Sequence, residues 1–125
     1  MTQILPYDYP KTITYEGTRI KYSDITEMGQ GGPEIGRLLI DEVNHFPEYR
    51  FSGPFLLHTK FLYIPVFFRK WLGIAFRLGR IDLHTFKIEL FGKKENLILI
   101  QEIKDGELFY FTHINNTTVK SIKVD

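Results

Sequence analysis

Apolar and polar residues alternate along this chain in short runs, and turn-forming pairs separate the runs, the pattern of a β-meander. In Lys11-Thr12-Ile13-Thr14-Tyr15-Glu16-Gly17-Thr18-Arg19-Ile20-Lys21-Tyr22, a two-residue Glu16-Gly17 loop sets Ile13 opposite Ile20. A second hairpin centres on Asp105-Gly106, a pair suited to two successive positive φ angles. It places Ile103 against Leu108 and Ile100 against Phe111. Asn115-Asn116 reads as a third turn, feeding a last strand near Thr118–Val124. Strand-like runs lie between: Phe55–Leu57, Phe61–Phe68, Ile74–Leu78, Arg80–Leu83, Phe86–Phe91 and Leu97–Ile103. Ile74, Phe76 and Leu78 keep one parity and Ile81 and Leu83 the other, so a β-bulge is expected at Gly79. Pro65 cannot donate to a ladder, which predicts an edge or a bulge there. Leu97-Ile98-Leu99-Ile100 does not alternate and reads as buried on both faces.

One stretch fits two templates. Ile35, Leu38, Leu39, Val43 and Phe46 follow helical spacing after Pro33, but Gly36 weakens a helix, and Arg37–Asp41 suits a short strand after a glycine loop. The surrounding meander favours the strand. The expected fold is mainly β: one domain over residues 1–125, an antiparallel meander closing into a sandwich or partly open barrel, with at most one short helix near 33–45. Ile81-Asp82-Leu83-His84-Thr85-Phe86-Lys87-Ile88 resembles the inter-strand turn of β-propeller blades. The resemblance implies a tight turn and no more, because most complete propellers need more chain than 125 residues.

Charge changes the picture. The net charge of +1 conceals −3 over residues 1–45, +6 over 46–94 and −2 over 95–125. The 33 residues from Tyr49 to Ile81 contain no Asp or Glu, but six basic and nine aromatic residues. A positive, aromatic strip in a nearly neutral chain predicts a surface that meets something acidic. No cysteine is present, which removes disulfides, thiolate nucleophiles and sulfur-ligated metals. The longest apolar run, Phe61–Phe68, is too short for a membrane-spanning helix. The first residues lack the basic flank and apolar stretch of a signal peptide, so the expected location is cytoplasmic.

The candidate chemistry is thin. Gly31 and Gly36 have phosphate-loop spacing, yet Arg37-Leu38 stands where Lys-Ser/Thr is needed, Pro33 removes a backbone donor and Glu34 adds negative charge. His45, His58, His84 and His113 form no metal-binding spacing. Ser52 lies in Phe51-Ser52-Gly53-Pro54, not in a nucleophile elbow, and the adjacent Asp41 and Glu42 point in different directions. No catalytic residue, metal ligand or cofactor is assigned. Phe67-Phe68-Arg69-Lys70-Trp71-Leu72-Gly73 is the most suggestive segment, since Phe67 and Phe68 must face opposite ways and Arg69-Lys70 then marks a loop tip with Trp71 near it; the alternative is that Phe68 and Trp71 pack under neighbouring loops.

The expected function is a non-catalytic protein-binding module, most concretely a small immunity or inhibitor protein. Arg69, Lys70, Trp71 and Arg77 are the candidate partner-binding residues, and the expected partner is a protein with an acidic patch. An anion-binding module for RNA or acidic lipid, using Arg69, Lys70, Arg77 and Arg80 with Trp71, is the alternative. A small enzyme whose site assembles only in the fold stands third. A pI near 7.9 disfavours nucleic acid.

Overall fold

The computed structural model describes residues 9–28, 32–71, 73–113 and 119–124. Their strands are β1 (Thr12–Tyr15), β2 (Thr18–Glu27), β3 (Glu34–Ile40), β4 (Leu56–His58), β5 (Phe61–Lys70), β6 (Gly73–Asp82), β7 (Ile88–Glu95), β8 (Leu99–Lys104), β9 (Glu107–Phe111) and β10 (Lys120–Lys123). All pairings are antiparallel, in sheets ordered β1-β2-β3, β4-β5-β6-β7 and β10-β9-β8, and no barrel closes.

Turn chemistry locates two hairpins correctly. Glu16 and Gly17 take φ of 46° and 80°, and Asp105 and Gly106 take 53° and 75°, values that match the right-handed twist of the flanking strands. Ile13 pairs with Ile20 and Ile103 with Leu108. The expected pairing of Ile100 with Phe111 is wrong by one residue. Gln101 is an extra residue in β8, so Leu99 meets Phe111 and Ile100 meets Tyr110. The Asn115-Asn116 turn lies outside the described residues. A third tight turn carries no glycine: Asp41 and Glu42 take φ of 49° and 69°, and Ile40 and Val43 exchange backbone hydrogen bonds across it. Side chains compensate for the strain. The Asp41 carboxylate accepts the Arg19 N–H at 2.9 Å, and the Glu42 carboxylate lies 2.9 Å from the Lys21 ammonium.

Residues 34–40 are strand, and no helix forms near 33–45. Gly36 explains the choice. Its N–H and C=O both bond Phe51, and a Cβ there would lie 2.7 Å from the Ser23 carbonyl oxygen. The segment 50–52 thus joins the first sheet to the second, because Phe51 also bridges Val66. Ser52 N–H donates to the Pro65 carbonyl and Phe67 N–H to that of Arg50, so the nitrogen of Pro65 faces the 50–52 segment and the unbroken ladder with β6 loses no donor.

The expected bulge at Gly79 is absent. β6 is one continuous strand, with Gly79 paired to both Ile64 and Leu90. The parity change arises because both faces of β6 are covered. Phe76 and Leu78 enter one apolar cluster with Tyr63, Leu99, Leu108 and Phe111, on the side of β8–β10. Ile81 enters the other with Leu62, Ile64, Ile20, Leu38 and Ile40, on the side of β1–β3. Gly79 belongs to the second face, where a Cβ would lie 2.6 Å from Val66 Cγ2. The β4–β7 sheet is therefore the middle of three layers. The irregularity lies further along, where β6 advances from 76 to 78 while β7 advances from 91 to 95, around Gly92 at φ 65°.

The propeller-like turn is built on Asp82. Its Oδ1 accepts the N–H groups of His84 at 2.8 Å and Thr85 at 3.2 Å, and Lys60 approaches Oδ2 at 3.3 Å. The backbone N–H of His84, with that of Thr85 and the Lys60 ammonium, holds this carboxyl below the usual carboxylate range.

Candidate functional site

β5 and β6 pair along their whole length, from Phe61 with Asp82 to Lys70 with Gly73. Their neighbours stop earlier. On the β5 side the last backbone bond is Phe67 N–H to Arg50 C=O, and on the β6 side the last pair is Phe76 with Glu95. Among the described residues, no strand pairs with the ribbon beyond these points. It carries Arg69, Lys70 and, in its turn, Trp71, which is 95% exposed. Trp71 therefore contributes almost nothing to the core, and its apolar area lies in water. Arg69 and Lys70, expected at a loop tip, are instead the last two residues of β5, and Trp71 follows in the turn; its exposure excludes packing beneath neighbouring loops, whereas Phe68 does pack against the core.

Parity divides the ribbon into two faces. Phe67 and Phe68 point to different layers, as their adjacency requires: Phe67 packs with the β8–β10 cluster and Phe68 with the β1–β3 cluster. Arg69 shares the face of Phe67, and its guanidinium lies 5.8 Å from that ring. Lys70 shares the face of Phe68, whose ring has the Lys94 ammonium 5.2 Å away. Arg77 pairs with Val66 and also lies on this second face, where its Nε donates to the Gly92 carbonyl at 3.0 Å. Arg69, Lys70 and Trp71 are therefore adjacent at the ribbon end. Arg77 stands apart from Arg69, further down the strand on the opposite face, and steadies the β7 irregularity.

Most cations elsewhere have carboxylate partners, including Arg19, Lys21, Arg37, Lys60 and Lys120. Arg50, Arg69, Lys70, Arg77, Lys93 and Lys94 make no ion pair among the described residues, nor do Lys87, Lys104 and Lys123 elsewhere. Arg80 does not join them. It lies between the Phe61 and Phe91 rings, at 4.5 and 4.9 Å, and bonds the Val124 carbonyl and the Glu89 carboxylate. Burial alone would lower its pKa, but the bonds to Glu89 and Tyr63 outweigh that and keep it charged. Arg80 is a structural clamp on the end of the chain.

Beside the ribbon, an open groove of about 450 Å³ is lined by Ile35, Glu48, Tyr49, Arg50, Phe67, Phe68 and Arg69. Sequence reasoning missed Tyr49, Arg50 and Ile35 as neighbours of Arg69, because only the bridge through Phe51 brings β3 and residues 49–50 to this edge. Lys93 and Lys94 were visible as part of the basic middle segment, but their place beside Phe68 depends on the β7 irregularity.

The other sequence candidates are dispersed. His45 stacks on Phe86 with ring centroids 4.1 Å apart, and His84 serves the Asp82 turn through its backbone. Among the described residues, no three His, Asp or Glu side chains converge as metal ligands. Ser52 is buried, and its carbonyl accepts the Tyr22 hydroxyl at 2.7 Å. Burial raises the Tyr22 pKa well above its ordinary value, keeping that hydroxyl a donor. Among the described residues no helix is long and apolar enough to cross a membrane.

Trp71 is the chain's single tryptophan, so its exposure is directly measurable. Emission should peak close to that of free tryptophan in water, and iodide should quench it more strongly than caesium does, because Arg69 and Lys70 attract the anion. A blue-shifted, poorly quenched band would contradict the exposed position. No protein-family model, curated protein or solved structure matches the chain.

Proposed function

We propose that this protein is a non-catalytic binding module that docks an acidic patch of another protein with the tip of the β5–β6 ribbon. The most concrete form is a small inhibitor of the immunity type, which covers a functional surface of its target. The observation that carries this reading is the 95% exposed Trp71 at the end of a ribbon bearing Arg69 and Lys70. An aromatic flanked by cations suits a protein interface, because it combines large apolar area with directional polar contacts. Lys93 and Lys94 extend the positive field, which guides encounter without needing fixed pairs.

Arg69→Glu with Lys70→Glu is the corresponding test, run against the products of neighbouring genes, since inhibitors are commonly encoded beside their targets. Association should slow about tenfold at low salt while the thermal melt stays within error of wild type, because exposed charges act on encounter rate more than on folding. Equal association rates for the two proteins would remove the charge-guided surface. A steep salt dependence spanning several phosphate contacts would instead identify a nucleic acid.

A further inference from the structure

β5 has a backbone edge that its neighbours leave open. The Phe67 N–H points away from β6, to the Arg50 carbonyl, and strand geometry repeats every two residues. The N–H and C=O of Arg69 therefore point the same way, into the groove lined by Ile35, Glu48, Tyr49, Arg50, Phe67, Phe68 and Arg69. No backbone group among the described residues bonds them. An open edge is a template for another strand, and proteins usually blunt such edges with a bulge, a proline or a covering loop. The far side of the same sheet is treated in that way, since β7 carries its irregularity at Gly92 and two lysines next to it. The β5 edge at Arg69 has no bulge or proline, and its own charges, Arg69 and Lys70, repel a basic strand but not an acidic one.

We infer that this edge receives an extended acidic segment of the partner protein by strand addition. The inference rests on the protein-binding reading above and names the shape of what is bound. Backbone hydrogen bonds to Arg69 set the register of the added strand. Its alternate side chains then fall on two faces, as in any strand. Carboxylates on one face meet the guanidinium groups of Arg69 and Arg50, which have no carboxylate partner among the described residues. Apolar side chains on the other face meet Phe68 and Tyr49. Charge complementarity, with two guanidinium groups in the groove against the one carboxylate of Glu48, selects an acidic occupant over a second copy of this chain, whose own edge here is basic.

A capped peptide alternating glutamate with valine is a sufficient probe, together with a version N-methylated on the bonding edge. The parent peptide should slow hydrogen exchange at the Arg69 amide at least tenfold, and the methylated peptide should bind at least tenfold more weakly. Arg69→Pro should bind the parent at least tenfold more weakly than Arg69→Ala, because both remove the charge and only proline removes the N–H. Melts of both variants check that the ribbon survives. Equal affinity for the two peptides, an unprotected Arg69 amide with peptide bound, or no binding at millimolar peptide would each overturn strand addition. If both peptides bind equally and both lose affinity on reversal of Arg69 and Lys70, strand addition fails while the charge-guided surface stands. Binding that ignores the reversal removes the surface itself.

Discussion

Trp71→Ala should weaken partner binding by about 2 kcal/mol or more, roughly thirtyfold, while leaving the melting temperature near wild type. The two halves of this result come from one fact. A side chain 95% exposed in the free protein has almost no packing to lose, so its removal leaves no cavity. In a complex the same ring is desolvated against the partner, where its whole apolar area contributes. Isothermal titration beside a thermal melt reads both quantities. A melt that falls several degrees would assign Trp71 to the fold, and unchanged affinity would remove it from the interface.

Phe76→Ala should show the opposite balance, with a loss of about 3–5 kcal/mol in folding stability. Phe76 is fully buried, stands opposite Phe67 at the base of the ribbon, and meets that ring edge-on at 5.9 Å. It belongs to the cluster joining the middle sheet to β8–β10, where neighbouring strands cannot close over the missing ring. Chemical denaturation should show the loss, with a fall in melting temperature of roughly 10 °C or more. Binding should decline only as far as the folded fraction does. A loss below about 1 kcal/mol would mean that the two layers are not packed through this position.

The contrast between Trp71 and Phe76 marks what the sequence could disclose. Both lie in the same acid-free aromatic strip, and no periodicity separates them. Turn chemistry was legible at Glu16-Gly17 and Asp105-Gly106 because positive φ at two successive positions restricts residue choice locally. It was illegible at Asp41-Glu42, where contacts to Arg19 and Lys21, about twenty residues earlier, offset the strain. Parity misled at Gly79 because it assumes one buried face, and β6 is buried on both. The missing side chain there makes room for Val66 and does not mark a bulge.

The site was legible in part. Arg69, Lys70 and Trp71 stand together at the ribbon end because they are consecutive in a hairpin, so sequence adjacency was enough. Arg77 was grouped with them by charge alone, and its separation follows from strand length and face. The groove required the long-range bridge Gly36–Phe51–Val66, which leaves no signature in a single sequence beyond a glycine within a strand. The third sheet was legible as strands but not as a layer, because nothing local says which face β8–β10 covers.

Contact between the exposed ribbon tip and an acidic surface on a protein can be trapped covalently. A photoreactive aromatic amino acid in place of Trp71, activated in cells and followed by mass spectrometry, tests it most directly. One dominant protein adduct is expected, mapped to a Glu- and Asp-rich segment of the target. That adduct should disappear when Arg69 and Lys70 are reversed to Glu. Adducts to lipid or RNA in place of protein, or a protein adduct that survives the reversal unchanged, would contradict it.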